Sequence, residues 1–375
     1  MKKFEKLWIQ TQKTITRFFV ACLLVVLVLN VLTPVNKTSE MENRGLAQRP
    51  NFNWTTLRDG SFFKNYQTFE SDQFVGRNSW IHLNYLIQKV SGVRKIQDVY
   101  LCHDQLMEEM PEPNQTQLKR NIQAINDFAN AHKDINMQMV LAPNAISVQS
   151  DRLPAFADVK DQESEMNQIT KDLSIQSVDV NSALKKHKDE YIYYKSDHHW
   201  TSLGAYYAAH AINSNIQLKN QYDKREVSNS FQGTLASKVG SINIKDEVDI
   251  YTPKKTCNYL VTYNSSNKQT RSIYNSKAFH QRDVYQVFFG GNEGMINISI
   301  NNNSDKHLLL IKDSYANSLV QFLLPYYRTI TIIDPRYYYD DLDQQMNKDI
   351  ITNVLFVYNT NTFVQDTSLA DCLGY

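Results

Sequence analysis

The stretch Asp305–Asp334, DKHLLLIKDSYANSLVQFLLPYYRTITIID, reads as a strand, a sharp turn, a helix and a second strand in immediate succession. The apolar run Leu308–Ile311 is short and unalternating, as expected of a strand buried on both faces of a parallel sheet. Lys312, Asp313 and Ser314 end it, and an apolar-periodic helix over Tyr315–Leu324 follows without a linker. That order puts the Ser314 hydroxyl at a strand-to-helix turn on the C-terminal edge of the sheet, where active sites of α/β proteins gather. Backbone N–H groups at the start of the helix would face an oxyanion there. A plainer alternative is that Asp313 or Ser314 only caps the helix.

Working outward, apolar runs of strand length alternate with helical periodicity, which predicts an α/β domain with a largely parallel sheet flanked by helices. Helices are expected over Trp80–Val90, Gln115–His132, Glu163–Asp172 and Thr201–Asn213. Strands are expected over Met137–Ala142, Ser177–Val180, Tyr191–Tyr194, Thr329–Ile333 and Asn353–Tyr358. Residues 228–305 are rich in Thr, Asn, Ile and Tyr and read as a β-rich insertion, with strands over Asp249–Tyr251, Val284–Phe289 and Met295–Ile300.

A second cluster lies in Tyr193–Tyr207, YYKSDHHWTSLGAYY, where Asp197, His198, His199 and Trp200 stand between a strand-like run and a helix capped by Thr201 or Ser202. A carboxylate two residues from an imidazole can accept its Nδ1–H within one turn, leaving Nε2 free to face a nucleophile. Asp197 and His199 form such a pair. The same residues also suit a structural histidine, or a metal site built from Asp197, His198, His199 and a distant ligand.

Composition and charge exclude several classes. Lys+Arg minus Asp+Glu is 40 − 39 = +1, and no basic stripe runs along the chain, so nucleic acid is not an expected partner. The four cysteines, Cys22, Cys102, Cys257 and Cys372, contain no Cys-x-x-Cys pair and are too sparse for a disulfide scaffold. Phe18–Leu32 is an apolar run interrupted only by Asn30 and preceded by Lys2, Lys3, Lys6, Lys13 and Arg17. No small-x-small cleavage site follows, so an uncleaved signal anchor is expected rather than a signal peptide. The expected organisation is a cytoplasmic basic leader over 1–17, a transmembrane anchor over 18–35, a polar linker over 36–60 and an exterior domain over 61–375.

Asp197-His198-His199-Trp200-Thr201, followed by Leu203-Gly204-Ala205-Tyr206, resembles the motif of the DHHW protein family. So do Ile311–Ser318 with Ile333-Asp334-Pro335-Arg336-Tyr337-Tyr338, Ser71-Asp72-Gln73-Phe74 with Arg77, and Leu141-Ala142-Pro143 with Leu153-Pro154. That family is similar to alginate-type O-acetylation proteins, whose fold is SGNH-hydrolase-like. The resemblance implies Ser314 as nucleophile, His199 as its base and Asp197 as the orienting carboxylate, with His198 in the variable position. In ordinary SGNH hydrolases a Gly-Asp-Ser block precedes the histidine. Here Lys312 stands in place of the glycine and the order is reversed, as in the acetylation branch.

An oxyanion hole needs donors besides the Ser314 N–H; Gly291 and Asn292 in FFGGNEG and Asn359 at the end of NVLFVYN are the candidates. Arg336 is a candidate contact for a negatively charged sugar or acyl donor, or else a packed or ion-paired side chain. The leading expectation is a membrane-anchored extracellular O-acetyltransferase or esterase acting on a cell-surface polysaccharide or glycopolymer, without cofactor or metal. A membrane-bound O-acyltransferase would be the partner that supplies the acyl group. The alternatives are a non-catalytic, membrane-tethered carbohydrate-binding or assembly factor of the same fold, and a metal-dependent hydrolase. If His199 accepts the Ser314 proton, activity rises through an imidazole pKa near ~6.5 that Asp197 is expected to raise.

Overall fold

A computed structural model describes residues 2–39, 41–42, 44–255, 258–340, 342 and 351–374. Cys257 lies outside the described residues, whereas Cys102 and Cys372 are buried free thiols. The chain divides into two compact units, Met1–Ile87 and Gln88–Tyr375.

In the first unit, Lys2–Leu32 forms a single helix. It is the one helix among the described residues long and apolar enough to cross a membrane, and Phe18, Leu24 and Leu27 on it are exposed. Residues 36–60 carry a two-stranded pairing of Thr38–Ser39 with Arg44–Gly45 and the short helix Trp54–Arg58. Asp72, from the Ser-Asp-Gln-Phe motif, accepts hydrogen bonds from the Arg44 guanidinium at 2.6 and 2.9 Å and from Ala47 N at 2.8 Å. The Arg44 hydrogen bond, with the charges of Arg44 and Arg77, holds its carboxyl down at about 2.

The main sheet of the second unit has eight strands among the described residues: β1 Asn136–Ala142, β2 Gln176–Ser177, β3 Tyr259–Tyr263, β4 Lys268–Thr270, β5 Met295–Ile300, β6 His307–Lys312, β7 Thr329–Ile333 and β8 Asn353–Asn359. They form one mixed sheet in the order β4-β3-β5-β7-β6-β8-β1-β2. The β7-β6-β8-β1-β2 half is parallel, and β5, β3 and β4 extend it antiparallel. Part of the β-rich stretch therefore completes the main sheet. The remainder, Tyr222–Phe231 with Asp246–Pro253, forms a separate antiparallel ribbon.

Strand β6 shows why its sequence is apolar throughout. Leu308 and Leu310 pack into the core on one face, while Leu309 and Ile311 pack into a second core on the other. Side chains alternate across a strand, so helices covering both faces require both alternations to be apolar. One core holds the helices Ser202–Ile212 and Ala316–Leu323; the other holds Gln115–Ala131, which buries Leu118, Ile122, Ile125 and Phe128 along one stripe.

Three expected strands differ. Val284–Phe289 contains a 3₁₀ turn over Val284–Val287, where Gln286 N bonds Asp283 O and Phe288 N bonds Tyr285 O, burying Tyr285 and Val287 from a turn. Ser177–Val180 ends as a strand at Ser177, because Asp179 caps a helix beginning at Val180 by accepting Ser182 N at 2.9 Å. Tyr191–Tyr194 makes only an isolated bridge, Tyr193 to Trp200, and so enters no sheet.

Candidate active site

The two segments singled out in the sequence meet. Ser314 leaves β6 at the C-terminal edge of the parallel strands, and His199 Nε2 lies 2.9 Å from Ser314 Oγ across 115 positions of chain. On the other side of the ring, His199 Nδ1 lies 2.6 Å from Asp197 Oδ1. An ionised carboxylate only accepts, so Nδ1 carries the proton and Nε2 presents its lone pair to the serine O–H. Ser314 is partly exposed, while Asp197 and His199 are buried.

The turn at Ser314 is not a side-chain cap by the serine. Asp313 braces the turn instead, without capping the helix: its Oδ1 accepts Tyr315 N at 2.9 Å and its Oδ2 accepts Asn359 N at 2.8 Å, tying the ends of β6 and β8 together. The Ser314 hydroxyl is thereby left to His199, and the Ser314 N–H has no acceptor among the described residues. Burial pushes the Asp313 carboxyl pKa up, against these N–H bonds and the charge of Arg336.

Asp197 is fixed on all sides. Besides His199 Nδ1, its Oδ1 accepts His199 N at 3.0 Å; its Oδ2 accepts Thr234 N at 2.7 Å and Thr234 Oγ1 at 2.9 Å. Gly233 lets the Thr234 segment approach this closely, since a Cβ there would sit 2.2 Å from the Asp197 Cβ. Burial raises the Asp197 pKa, but the electrostatic attraction of the adjacent His198 and His199 rings and these hydrogen bonds outweigh it, so the carboxyl is held well below the usual carboxylate range. For His199 the balance runs the other way. Burial, with the neighbouring His198, outweighs the attraction of Asp197, and the imidazole is pushed down to about 4. The expected upward shift is thus reversed, because sequence shows the carboxylate partner but not the buried ring.

Trp200 joins the two segments. Its Nε1–H donates to Tyr315 O at 2.9 Å and to Ser318 Oγ at 3.1 Å, with the indole fully buried. Thr201 caps the helix Ser202–Ile212 by accepting Gly204 N at 3.3 Å and donates to Tyr191 O at 2.6 Å. Gly204 is required there, since a Cβ would lie 2.3 Å from Ile192 O. Tyr285, Thr234 and Tyr315 are site residues that sequence reasoning missed. The Tyr285 ring stacks on His199 at 4.0 Å and its hydroxyl donates to Ser314 O at 2.9 Å, while the Tyr315 hydroxyl donates to His198 O. Only the adjacency of Tyr315 to Ser314 offered a signal.

The remaining candidates are distributed as follows. Asn359 has its Nδ2 hydrogens directed to Ala142 O at 3.2 Å and Asn144 Oδ1 at 2.9 Å, and its Oδ1 accepts Asn361 N at 3.1 Å. Its side-chain donors are committed to the sheet edge. Gly291, at φ +122°, donates its N–H to Phe288 O at 3.4 Å. Asn292 Oδ1 accepts Asn317 Nδ2 at 3.1 Å and Lys312 Nζ at 3.4 Å, which ties this loop to the serine turn. Lys312 is buried with Asp334 Oδ2 at 3.2 Å, and Arg336 grips the same carboxylate at 2.7 and 2.8 Å. Burial lowers the Lys312 pKa, against the pull of Asp334.

Asp197, His198 and His199 have donor atoms within 4.8 Å of one another, a spacing that suits a cation. However, His199 Nδ1 and both Asp197 oxygens are engaged with protein partners, so coordination would break the His199–Asp197 bond.

A family model described as the SGNH hydrolase-like domain of the acetyltransferase AlgX matches residues 99–289, that is 289 − 99 + 1 = 191 of the 375 positions. No curated protein matches the chain. Among solved structures, a DHHW family protein from Eubacterium siraeum superposes with a TM-score of 0.63 at 23% identity, covering 74% of this chain and 97% of that one. PatB1 of Bacillus cereus, carrying a sulfonyl adduct, superposes at 0.61 with 21% identity, covering 72% and 97%. At these identities the likeness establishes a shared fold.

Proposed function

We propose, for a chain that belongs to the SGNH hydrolase-like family of the acetyltransferase AlgX, that Ser314, His199 and Asp197 transfer an acetyl group by way of an acyl-enzyme on Ser314 Oγ. The observation that carries this reading is the 2.9 Å approach of His199 Nε2 to Ser314 Oγ, which local capping does not require.

In the first half-reaction Ser314 Oγ attacks the acyl carbonyl while its proton passes to His199 Nε2. Asp197 holds the ring in the tautomer that can accept and stabilises the imidazolium that forms. The Ser314 N–H, free of any intramolecular acceptor among the described residues, is the first oxyanion donor. His199 returns the proton to the leaving group. In the second half-reaction His199 takes the proton of an acceptor hydroxyl, whose oxygen attacks the acyl carbon and releases Ser314. Arg336, bound to Asp334, contributes positive charge near the site and steadies the serine turn through Lys312 and Asp334.

The acceptor in this reading is a hydroxyl of a cell-surface polysaccharide. The basic leader and the apolar helix support one membrane crossing over 18–35, with the N-terminus inside and residues from 61 onward as the exterior domain. A membrane-bound O-acyltransferase is the partner that would deliver the acyl group. The test is a burst assay with 4-nitrophenyl acetate on the detergent-solubilised full chain, together with fluorophosphonate labelling. Stoichiometric labelling that disappears in Ser314→Ala supports the enzyme; a folded wild type that neither labels nor bursts leaves a carbohydrate-binding module.

A further inference from the structure

His198 is built into the same carboxylate as His199, by a different route. Its Nδ1 lies 2.7 Å from Thr234 Oγ1. Thr234 has one hydroxyl proton, and it goes to Asp197 Oδ2 at 2.9 Å, because an ionised carboxylate can only accept. Thr234 Oγ1 therefore accepts from His198, which fixes the proton on His198 Nδ1 and leaves a lone pair on Nε2. No donor among the described residues reaches that nitrogen. Both Nδ1 atoms face Asp197 Oδ1, at 3.6 Å for His198 and 2.6 Å for His199, and the rings lie 3.9 Å apart. Two Nε2 lone pairs thus point away from one carboxylate, side by side.

His198, and not His199 or Ser314, lines a cavity of about 370 Å³ whose walls also include Thr234, Asp98, Glu108, Lys238 and Asn361, a size suited to a small ligand; the His199 ring stands next to this wall, 3.9 Å from that of His198. Its lysine is neutralised twice, by Asp98 at 2.7 Å and Glu108 at 3.2 Å, and Glu109 pairs with Lys95. Carboxylates outnumber ammonium groups, so an anionic ring would be repelled and an uncharged one accepted.

We infer that His198 is an acceptor-binding residue: its Nε2 accepts one hydroxyl of an uncharged vicinal diol on a sugar ring in this cavity, while the adjacent hydroxyl faces His199 for transfer. The inference rests on Ser314 and His199 forming the acyl-transfer site. In the transfer, the bond from the acyl carbon to Ser314 Oγ breaks and one to the acceptor oxygen forms. The acceptor's proton goes to His199 Nε2 and from there to Ser314 Oγ, and His198 takes none.

The experiment uses the full chain in detergent, 4-nitrophenyl acetate as donor, and methyl β-D-glucopyranoside or the corresponding glucuronide as acceptor. His198→Asn places an N–H donor where Nδ1 stood and removes the Nε2 acceptor; His198→Gln restores an acceptor near Nε2. The expected result is a ratio of glucoside transfer to acylation burst, measured in the same variant, about tenfold below wild type in His198→Asn, with partial recovery of that ratio in His198→Gln. Transfer to the glucuronide should be about tenfold poorer than to the glucoside in wild type. Nitrogen NMR of the rings should show His198 with Nδ1 protonated and Nε2 bare. Equal loss of burst and transfer in His198→Asn, undiminished transfer, or an Nε2-protonated ring would overturn the inference while leaving the acyl-enzyme standing. A wild type that never forms an acyl-enzyme removes both.

Discussion

The two halves of the candidate site are positioned by different physics. Ser314 follows β6, which is hydrogen-bonded to parallel neighbours on both sides and buried on both faces, so its place is set by strand register. Asp197 and His199 sit on a loop that belongs to no strand of the sheet and are held by individual side-chain hydrogen bonds. Thr234 supports Asp197, and Asp246 accepts Lys195 N and Ser196 N, each at 2.7 Å. A register is cooperative and tolerates single changes at its end; a loop held by discrete bonds loses geometry one bond at a time. Substitutions on the nucleophile side should therefore separate chemistry from stability, and those on the base side should couple them.

The largest effect should come from Ser314→Ala, which removes the acyl-enzyme altogether. Since the Ser314 hydroxyl caps nothing, its thermal midpoint should stay within a few degrees of wild type, read by a melt alongside the burst assay. A large drop in midpoint would erase the contrast. Next, Asp197→Asn should lower the acylation rate by about 10³–10⁴-fold, because an amide can hold the ring in the wrong tautomer. It should also lower the midpoint, because the amide NH₂ would face Thr234 N–H or His199 Nδ1–H with a donor. Rate loss with no stability loss would show the loop to be held otherwise.

Third, the acylation rate should be nearly flat from about pH 5.5 to 8. The base must be neutral, and burial pushes the His199 pKa down to about 4, so the fall on acidification should begin well below the ~6.5 of an unburied imidazole. The same depressed pKa makes the native state lose stability as pH falls from 6.5 toward 4, since the unfolded chain binds the proton more readily over that window. A rate profile with its midpoint near 6.5 would mean that the ring is wetter than its packing against Tyr285 indicates.

How much of this was legible in the sequence follows the same division. Leu308–Ile311 and the turn after it could be read directly as a strand meeting a helix, because a short apolar run before a periodic helix fits that order, but whether Ser314 was a nucleophile or a helix cap stayed open in that segment alone. Asp197 and His199 were legible as a pair by their spacing, but nothing local indicates which distant group they serve; the family resemblance supplied that. Thr234 and Tyr285 were not legible, since each comes from an irregular segment and acts only through tertiary contact. The antiparallel strands β3, β4 and β5 read as an insertion because edge pairing is a long-range choice that local β-propensity does not encode. The downward shift of His199 was hidden for the same reason: burial is a property of the fold.

The smallest effect tests the link between the halves. Trp200 Nε1–H, donating to Tyr315 O and Ser318 Oγ, is a side-chain hydrogen bond from the histidine loop onto the serine helix. Trp200→Phe keeps an aromatic ring in the buried slot but deletes that donor and leaves a small void. The Tyr315 carbonyl keeps the Ser318 hydroxyl at 3.5 Å as a donor, so the lost bond should cost about 1 kcal/mol, lowering the midpoint by a few degrees. If the bond only stabilises, acylation at saturating ester should be unchanged once the protein is folded. If it also sets the distance between His199 Nε2 and Ser314 Oγ, the maximal rate should fall about three- to tenfold with little change in KM, because a misplaced base weakens the transition state and not the binding of a small ester. The second outcome is expected, since Trp200 directly follows His199 and Tyr315 directly follows Ser314, so a shift in one bond moves both reacting side chains. Rates equal to wild type in a measurably destabilised Trp200→Phe would confine the link to folding and leave the Asp197–Thr234 contacts as the support of the base.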